Sequence, residues 1–195
     1  MKRAVFLDRD GVINAAPYNA EEGKYDSPYT IADFRFLPGA KQAIRLLNQK
    51  GWLTIVVSNQ PGIAKRKCSA PFLEALDERM RAGLAASGAH LDAVYYCLHH
   101  PQALVSELRE TCRCRKPQPG LLLTAACDLQ VDLTTSFMVG DGMQDVEAGL
   151  AAGCKPILIR RPRSPKTALP TVNGSRVATS LLAAVKQILS EEGEP

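Results

Sequence analysis

Long apolar runs are missing from this sequence of 195 residues, and aromatic residues make up only 6% of it. No segment approaches the roughly 20 apolar residues that a membrane-spanning helix needs, so we expect no membrane partner. Few aromatic side chains leave little surface on which unpaired bases could stack, and the basic residues are scattered rather than aligned. We therefore expect no nucleic-acid partner, whereas the mild net charge of +4 is compatible with an anionic ligand.

The sequence also lacks a secretory signal peptide at its start and a glycine-rich dinucleotide-binding motif after its first strand. Lys2 and Arg3 lead directly into an apolar strand, which is not the pattern of a secretory signal peptide, and we expect a cytoplasmic protein. Six cysteines in that compartment argue against a disulfide framework, and we expect Cys127 and Cys154 to lie in the core. Because no GxGxxG motif follows the first strand, a dinucleotide cofactor is not expected.

Alternating apolar patterns define the fold class. The strand-like stretches are residues 3–8, 52–57, 93–97, 136–139 and 155–159, and helix-like stretches begin near residues 39, 69, 119, 146 and 178. Strands that alternate with helices predict right-handed βαβ units and a Rossmann-like α/β fold, with a mainly parallel sheet flanked by helices. We expect a single domain over residues 1–195, without a large cap domain, and a long loop over the active site between residues 14 and 36.

The first strand ends on two carboxylates, in residues 5–12 (VFLDRDGV). Asp8 and Asp10 are two positions apart, so in an extended chain their side chains point the same way. Two such carboxylates repel each other unless a cation lies between them or one is protonated. Mg²⁺ would relieve this repulsion, and in open α/β sheets ligands bind at the carboxyl ends of the strands.

Polar groups also follow later strands or lie in the loops beyond them. These stretches are residues 57–60 (VSNQ), 114–117 (CRKP) and 139–145 (VGDGMQD). Together with the first motif, this ordered set resembles that of the haloacid-dehalogenase-like (HAD-like) hydrolases, most of which are phosphatases. The resemblance runs from about residue 6 to residue 159 and implies a HAD-like fold and the hydrolysis of a phosphate ester.

The first motif suits hydrolysis through a covalent aspartyl-phosphate. A carboxylate can serve as a nucleophile, and our hypothesis is that Asp8 attacks phosphorus. Asp10 would protonate the leaving alkoxide and later deprotonate the attacking water, so we expect neighbouring negative charge to raise its pKa. Mg²⁺ held by Asp8, the backbone carbonyl of Asp10 and Asp141 would offset the charge of the reacting groups.

The remaining motifs supply groups that can stabilise a phosphoryl group. Ser58 can donate a hydrogen bond, Lys116 supplies a cation and Arg115 can bind phosphate through two parallel hydrogen bonds. The alternative for Lys116 and Arg115 is surface charge without a catalytic role. For Asp145 the sequence favours two roles equally: it supports the other residues of the site, or it accepts a hydrogen bond at the N-terminus of a helix.

A second metal site is predicted in a loop over about residues 97–118. Cys97 with His99 or His100 and Cys112 with Cys114 form two short arms, in which one intervening residue lets both ligands face inward. Three thiolates and one imidazole are a typical set for structural Zn²⁺, although the spacing is narrower than in zinc fingers. The alternative is a group of reduced cysteines beside a surface histidine.

The full set of motifs narrows the resemblance to the D,D-heptose 1,7-bisphosphate phosphatases. The stretches that carry it are residues 8–14 (DRDGVIN), 58–64 (SNQPGIA), 95–101 (YYCLHHP), 112–120 (CRCRKPQPG) and 140–145 (GDGMQD). The resemblance implies removal of the 7-phosphate of D-glycero-D-manno-heptose 1,7-bisphosphate, in the synthesis of lipopolysaccharide core or surface-glycan precursors. It assigns Mg²⁺ to Asp8, Asp10 and Asp141, zinc to Cys97, His99, Cys112 and Cys114, and substrate contacts to Ser58, Asn59, Gln60, Arg115 and Lys116.

Two departures from that family leave alternatives open. Gly142 stands where relatives often have lysine, so one phosphate-binding cation is either missing or supplied elsewhere, with Lys65, Arg66 and Arg160 as the candidates. The loop after Asn14 is longer than usual, which bears on the preferred sugar and anomer. A phosphatase for histidinol phosphate or another small sugar phosphate is the first rival. A polynucleotide phosphatase and a non-catalytic domain that binds phosphorylated ligands or nucleic acid are the others, and we expect a monomer.

Overall fold

The computed structural model describes residues 1–20, 22–160 and 175–191. Its strands are β1 (Ala4–Leu7), β2 (Tyr18–Asn19), β3 (Lys24–Tyr25), β4 (Leu53–Asn59), β5 (Ala93–Cys97), β6 (Phe137–Gly140), β7 (Lys155–Ile159) and β8 (Arg176–Ala178). Its α-helices are α1 (Ala40–Gln49), α2 (Ala70–Ala85), α3 (Gly120–Leu129), α4 (Met143–Ala152) and α5 (Leu181–Ser190). Within the described ranges, no helix combines the length and apolar character that crossing a bilayer requires.

Six of these strands form one parallel sheet in the order β5-β4-β1-β6-β7-β8. Strand β1 is central, with Leu7 paired to Val56 of β4 on one side and to Val139 of β6 on the other. The carboxyl ends of β4, β1 and β6 therefore lie side by side. The expected α/β fold with a mainly parallel sheet flanked by helices is confirmed.

The sheet is buried on both faces, which explains its continuously apolar strands. In β1, Val5 and Leu7 belong to a core with α1, α2 and α5, whereas Ala4 and Phe6 belong to a second core with α3 and α4. This division follows from the alternation of side chains along a strand. Packing on both faces holds β1, and with it the residues that follow it, in place.

Three short strands, β2, β3 and β8, were not predicted from the sequence. Strand β8 has only three residues and two of them are exposed, so it carries no apolar pattern. Residues 178–190 were predicted to be helical, but α5 begins at Leu181 because the Ser180 side chain accepts a hydrogen bond from the Ala183 N–H and caps the helix. The predicted long loop at residues 14–36 contains the small antiparallel hairpin of β2 and β3.

Cys127 is exposed, whereas Cys154 is buried as predicted. The buried side chains of α3 are Leu121, Leu122, Ala125 and Ala126. Cys127 lies four residues after the exposed Leu123, so both are on the outward face of the helix. The expectation that Cys127 lies in the core was wrong because the sequence around it is apolar on more than one face.

Candidate active site

The ends of β1 and β6 bring carboxylates together. Asp8 follows β1, is buried, and donates its backbone N–H to the Val139 carbonyl at 3.0 Å. One carboxylate oxygen from each of Asp8, Asp141 and Asp145 lies within 4.8 Å of the others. Lys116 pairs with two of them, Asp8 and Asp145, and three carboxylates that converge in this way are a donor set that fits a hard divalent cation.

That ammonium group belongs to Lys116, whose side chain is fully buried. Its Nζ lies 2.8 Å from Asp8 Oδ1, 2.6 Å from Asp145 Oδ1 and 2.8 Å from the Val57 carbonyl oxygen. Burial alone would lower the pKa of Lys116, but Asp145 and Asp8 together hold it above its usual value. Lys116 is therefore a fixed positive charge beside Asp8, and the alternative of a surface lysine does not apply.

Asp145 combines both interpretations that the sequence left open. Its Oδ2 accepts a hydrogen bond from the Gly142 N–H at 3.0 Å, at the start of α4, while its Oδ1 pairs with Lys116. The carboxylate lies against Gly140, where a Cβ atom would come within 2.1 Å of the Asp145 Cβ. Burial raises the pKa of Asp145, and Lys116 offsets this only in part. A glycine at the end of β6 thus makes room for the partner of Lys116.

Asp10 has different partners from Asp8. Both of its oxygens accept hydrogen bonds, and the donors are Arg9 Nε (3.1 Å), Arg9 Nη2 (3.0 Å), Asn14 Nδ2 (2.8 Å), Ser27 Oγ (2.7 Å) and Gln60 Nε2 (2.8 Å). Ser27 comes from the loop at residues 14–36, so this loop does reach the predicted acid–base residue.

The expectation of a raised pKa for Asp10 was wrong. Burial would raise it, but the Arg9 guanidinium and the other donors hold the pKa of Asp10 below its usual value. The two acidic side chains do not share an environment, because the chain bends after Asp8 and reaches Gly11 with φ of 96°. The rule that residues two apart point the same way applies only to an extended chain.

Arg9 is a functional candidate that the sequence analysis did not identify. Its side chain is 1% exposed, and its Nη2 also donates to Gln60 Oε1 at 2.8 Å. Its guanidinium carbon lies 5.4 Å from the centre of the Tyr96 ring, which is a cation–π contact. Burial would lower the pKa of Arg9, but Asp10 raises it above its usual value. A charged residue between two acids at the end of a buried strand is the signal that could have found it.

The other predicted substrate residues lie at the end of β4, next to Asp8 in the sheet order, or in the loop that contacts this end of β4. Ser58 is buried, and its Oγ accepts a hydrogen bond from Gln60 Nε2 at 3.1 Å. The side-chain amide of Asn59 binds the backbone of Lys116. Arg115 donates from Nη1 to the His99 carbonyl at 3.3 Å and remains partly exposed.

A second cluster joins Cys97, His99, Cys112 and Cys114, whose ligand atoms all lie within 4.8 Å of one another. The sulfur–sulfur distances are 3.5 Å (Cys97–Cys112), 3.1 Å (Cys97–Cys114) and 3.2 Å (Cys112–Cys114). These are far longer than the about 2.05 Å of a disulfide. Burial would raise the pKa of Cys112, but hydrogen bonds from Cys114 and Cys97 lower it to about 7. The group could hold a metal ion.

The structure distinguishes the two neighbouring histidines. His99 Nδ1 lies 3.4 Å from Cys114 Sγ, and its Nε2 lies 3.3 Å from a Glu110 carboxylate oxygen. His100 instead accepts a hydrogen bond from the Gln102 N–H at 3.0 Å. The cluster therefore contains His99, and Glu110 is placed to orient its ring as outer partners of metal-binding histidines do.

The chain is similar to known proteins over nearly its whole length. A family model described as HAD-hydrolase-like matches residues 113–184. The chain is 38% identical to the D-glycero-beta-D-manno-heptose-1,7-bisphosphate 7-phosphatase of Escherichia coli K12 over 192 residues, which covers 98% of the chain and 96% of the relative. The corresponding enzyme of Vibrio cholerae is 36% identical over 187 residues, which cover 96% of this chain and 94% of the relative.

Solved structures of heptose bisphosphate phosphatases have a fold similar to that of this chain. The D,D-heptose 1,7-bisphosphate phosphatase from B. bronchiseptica, in complex with magnesium and phosphate, superimposes with a TM-score of 0.82 at 34% identity, covering 98% of this chain and 99% of the other. The D,D-heptose 1,7-bisphosphate phosphatase from Burkholderia thailandensis gives a TM-score of 0.70 at 29% identity, covering 97% and 99%.

Proposed function

Because the chain belongs to the D-glycero-beta-D-manno-heptose-1,7-bisphosphate 7-phosphatase family of HAD-like hydrolases, we propose that it removes the 7-phosphate of D-glycero-D-manno-heptose 1,7-bisphosphate. The reaction would serve the synthesis of lipopolysaccharide core and ADP-heptose precursors. The observation that carries the proposal is the buried Lys116 ammonium between Asp8 and Asp145, in the cluster that also contains Asp141.

The first step transfers the phosphoryl group to the protein. A carboxylate oxygen of Asp8 attacks phosphorus, and the bond between phosphorus and the sugar C7 oxygen breaks. Asp10 acts here in its protonated form, which the Arg9 ion pair disfavours in the free protein, and gives its proton to the departing oxygen, which leaves as an alcohol. Lys116 neutralises charge on the transferring group, as phosphoryl transfer depends mainly on position and electrostatics.

The second step regenerates Asp8. Water attacks the phosphorus of the aspartyl-phosphate and gives a proton to Asp10, and inorganic phosphate leaves. The ion pair of Asp10 with Arg9 favours the carboxylate form that accepts this proton. Mg²⁺, when bound by Asp8, Asp141 and the Asp10 carbonyl, supplies further positive charge against the phosphoryl oxygens. The acidic cluster of this chain and the magnesium in the B. bronchiseptica relative support that assignment.

Ser58 and Arg115 complete the binding of the phosphorylated sugar. The Ser58 hydroxyl is a donor for a phosphoryl oxygen at the end of β4, next to Asp8 in the sheet order. The partly exposed Arg115 guanidinium, held through the His99 carbonyl, is a cation for the substrate at the mouth of the site.

We assign structural Zn²⁺ to Cys97, His99, Cys112 and Cys114. Zn–S bonds of about 2.3 Å separate the sulfurs of a tetrahedral site by roughly 3.8 Å, a little more than the distances of 3.1 to 3.5 Å found here. When bound, the metal would hold the loop that carries Arg115 and Lys116. Elemental analysis of the purified protein tests this assignment, and about one zinc per chain is expected.

Phosphate release in the presence of Mg²⁺ tests the proposed activity. The substrates are the β and α anomers of the heptose bisphosphate, histidinol phosphate and fructose 1,6-bisphosphate, compared by kcat/KM. We expect at least a hundredfold preference for one heptose anomer, which is about 2.7 kcal/mol of transition-state discrimination. Activity dominated by histidinol phosphate would instead support the first rival.

The Asp8→Asn variant tests the assignment of the nucleophile directly, and we expect it to release no phosphate from any of these four substrates. Retention of near-full activity by this variant would contradict the assignment of Asp8. A cytoplasmic location and a monomeric state remain predictions, which fractionation and light scattering can test.

A further inference from the structure

The two amide side chains that follow Ser58 contact two different parts of the reaction machinery. Asn59 Oδ1 accepts the Lys116 N–H at 3.0 Å, and Asn59 Nδ2 donates to the Lys116 carbonyl oxygen at 3.1 Å. One amide thus binds both polar groups of a single backbone residue. Since the Lys116 ammonium also contacts the Val57 carbonyl, the end of β4 holds Lys116 at its backbone and at its side-chain tip.

Gln60 makes a comparable set of contacts around Asp10. Its Nε2 donates to Asp10 Oδ2 at 2.8 Å and to Ser58 Oγ at 3.1 Å, while its Oε1 accepts from Arg9 Nη2 at 2.8 Å. Gln60 is 4% exposed, so it has little surface for a ligand. Both of its N–H groups and its carbonyl oxygen are already engaged.

The position of these residues in β4 explains why their partners differ. Asn59 is the last residue of β4 and Gln60 follows it, so their side chains leave the strand on opposite sides. One side meets the loop that ends in Lys116, and the other side meets the bend that carries Asp10.

We propose that Asn59 and Gln60 are positioning residues for two separate parts of the reaction. Asn59 acts through Lys116 on the transferring phosphoryl group, and Gln60 acts through Asp10 on the leaving group. This replaces the sequence-based expectation that both residues contact the substrate. The proposal rests on the proposed phosphatase chemistry but not on the identity of the sugar.

A series of substituted phenyl phosphates separates the two roles, because the series varies only the leaving group. Asn59→Ala should lower kcat/KM by the same factor, about 10- to 100-fold, for every member, since Lys116 acts on the phosphoryl group that all share. Gln60→Ala should lower kcat/KM most for the poorest leaving groups and least for the best, because only a poor leaving group needs the proton of Asp10.

Inhibition by orthovanadate gives a second readout, since vanadate resembles the phosphoryl group in the transition state. Asn59→Ala should weaken this inhibition by about the factor lost in kcat/KM, whereas Gln60→Ala should leave it within about twofold of the wild type. Asn59→Ser, with a smaller loss of volume, repeats the measurement if the alanine variant folds poorly.

Asn48→Ala is the matched control. Asn48 also accepts a backbone hydrogen bond, from the His90 N–H at 2.9 Å, and donates to Thr54 Oγ1 at 3.1 Å. It lies in α1 and contacts the amino-terminal part of β4, away from the carboxyl ends of the strands where Asp8 and Lys116 meet. The Asn48→Ala variant should lose about as much unfolding free energy as Asn59→Ala and keep its activity on all substrates.

Two results would overturn the proposal. The first is an Asn59→Ala variant that hydrolyses phenyl phosphates normally and only shows a raised KM for the heptose bisphosphate, which would make Asn59 a direct sugar contact. The second is a Gln60→Ala variant with an unchanged dependence on the leaving group. Phenyl phosphates carry no sugar, so failure of the heptose assignment would leave this test intact.

Discussion

Replacing Gly140 with alanine tests how the buried Lys116 is held. A Cβ atom at this position would lie 2.1 Å from Asp145 Cβ, 2.2 Å from its Cγ and 2.3 Å from its Oδ2. All three distances are far below van der Waals contact, so the Asp145 side chain or the end of β6 must move. Asp145 is fully buried and has no open space on that side to move into without losing contacts.

The size of the effect follows from what Asp145 would lose. Displacement weakens its hydrogen bond to the Gly142 N–H at 3.0 Å and its ion pair with Lys116 at 2.6 Å. Overpacking a core costs about 1–3 kcal/mol, and removing one partner of a buried ion pair costs about 3–5 kcal/mol. Because the partner here is moved rather than removed, we expect a loss of about 2–4 kcal/mol of unfolding free energy.

The same shift should reduce activity, because the ion pair between Lys116 and Asp145 weakens and the ammonium group is held less firmly beside Asp8. A displacement of about 1 Å in a catalytic group can cost about a hundredfold in rate. We expect kcat for the heptose bisphosphate to fall by at least about tenfold, measured by phosphate release in conditions where urea titration shows the variant to be folded.

Gly142→Ala is the control for this prediction. Gly142 has φ of −121° and ψ of 157°, which any residue adopts, and its Cβ atom would lie 3.5 Å from Asp145 Oδ2. The control should lose at most about 1 kcal/mol and keep its activity. A Gly140→Ala variant as stable and as active as the wild type would refute the reasoning, since Asp145 would then not need its present position.

Three further predictions concern the metal cluster, the other cysteines and the departure at residue 142. Cys112→Ser should lower the thermal stability of the protein and remove its sensitivity to a zinc chelator, whereas an unchanged melting curve would contradict a structural metal. In the native protein, maleimide should label the exposed Cys127 well before Cys154, because burial raises the pKa of the Cys154 thiol to about 12; mass spectrometry of the labelled peptides would detect the opposite order. Gly142→Lys should fold with a loss of at most about 1 kcal/mol, because the backbone angles of residue 142 suit any residue. It should also lower the KM for the phosphorylated substrate, because its Cβ atom would lie 3.5 Å from Asp145 Oδ2 and the new side chain adds positive charge at the site; a raised KM would count against this prediction.

Local patterns predicted much of the fold. The bounds of β5 and β7 match the predicted strands at residues 93–97 and 155–159, because each is a short run of mainly apolar or aromatic residues that is visible in the sequence. The strand β8 was missed for the opposite reason, since an exposed edge strand of three residues leaves no apolar pattern. The exposure of Cys127 depends on which face of α3 packs against the sheet, and a helix with apolar residues on more than one face does not reveal that.

The sequence by itself determined the chemistry available to this protein: the acidic end of β1, the serine after β4, the lysine of the CRKP stretch and the grouped cysteines and histidines. Only the tertiary structure decided which of these groups meet. Lys116 reaches Asp8 across 108 residues, and Asp10 turns to Arg9 and Gln60 instead of facing Asp8. The physical reason is that residue type and spacing report burial and local direction, whereas contacts between distant residues depend on strand order and on bends that no short sequence pattern records.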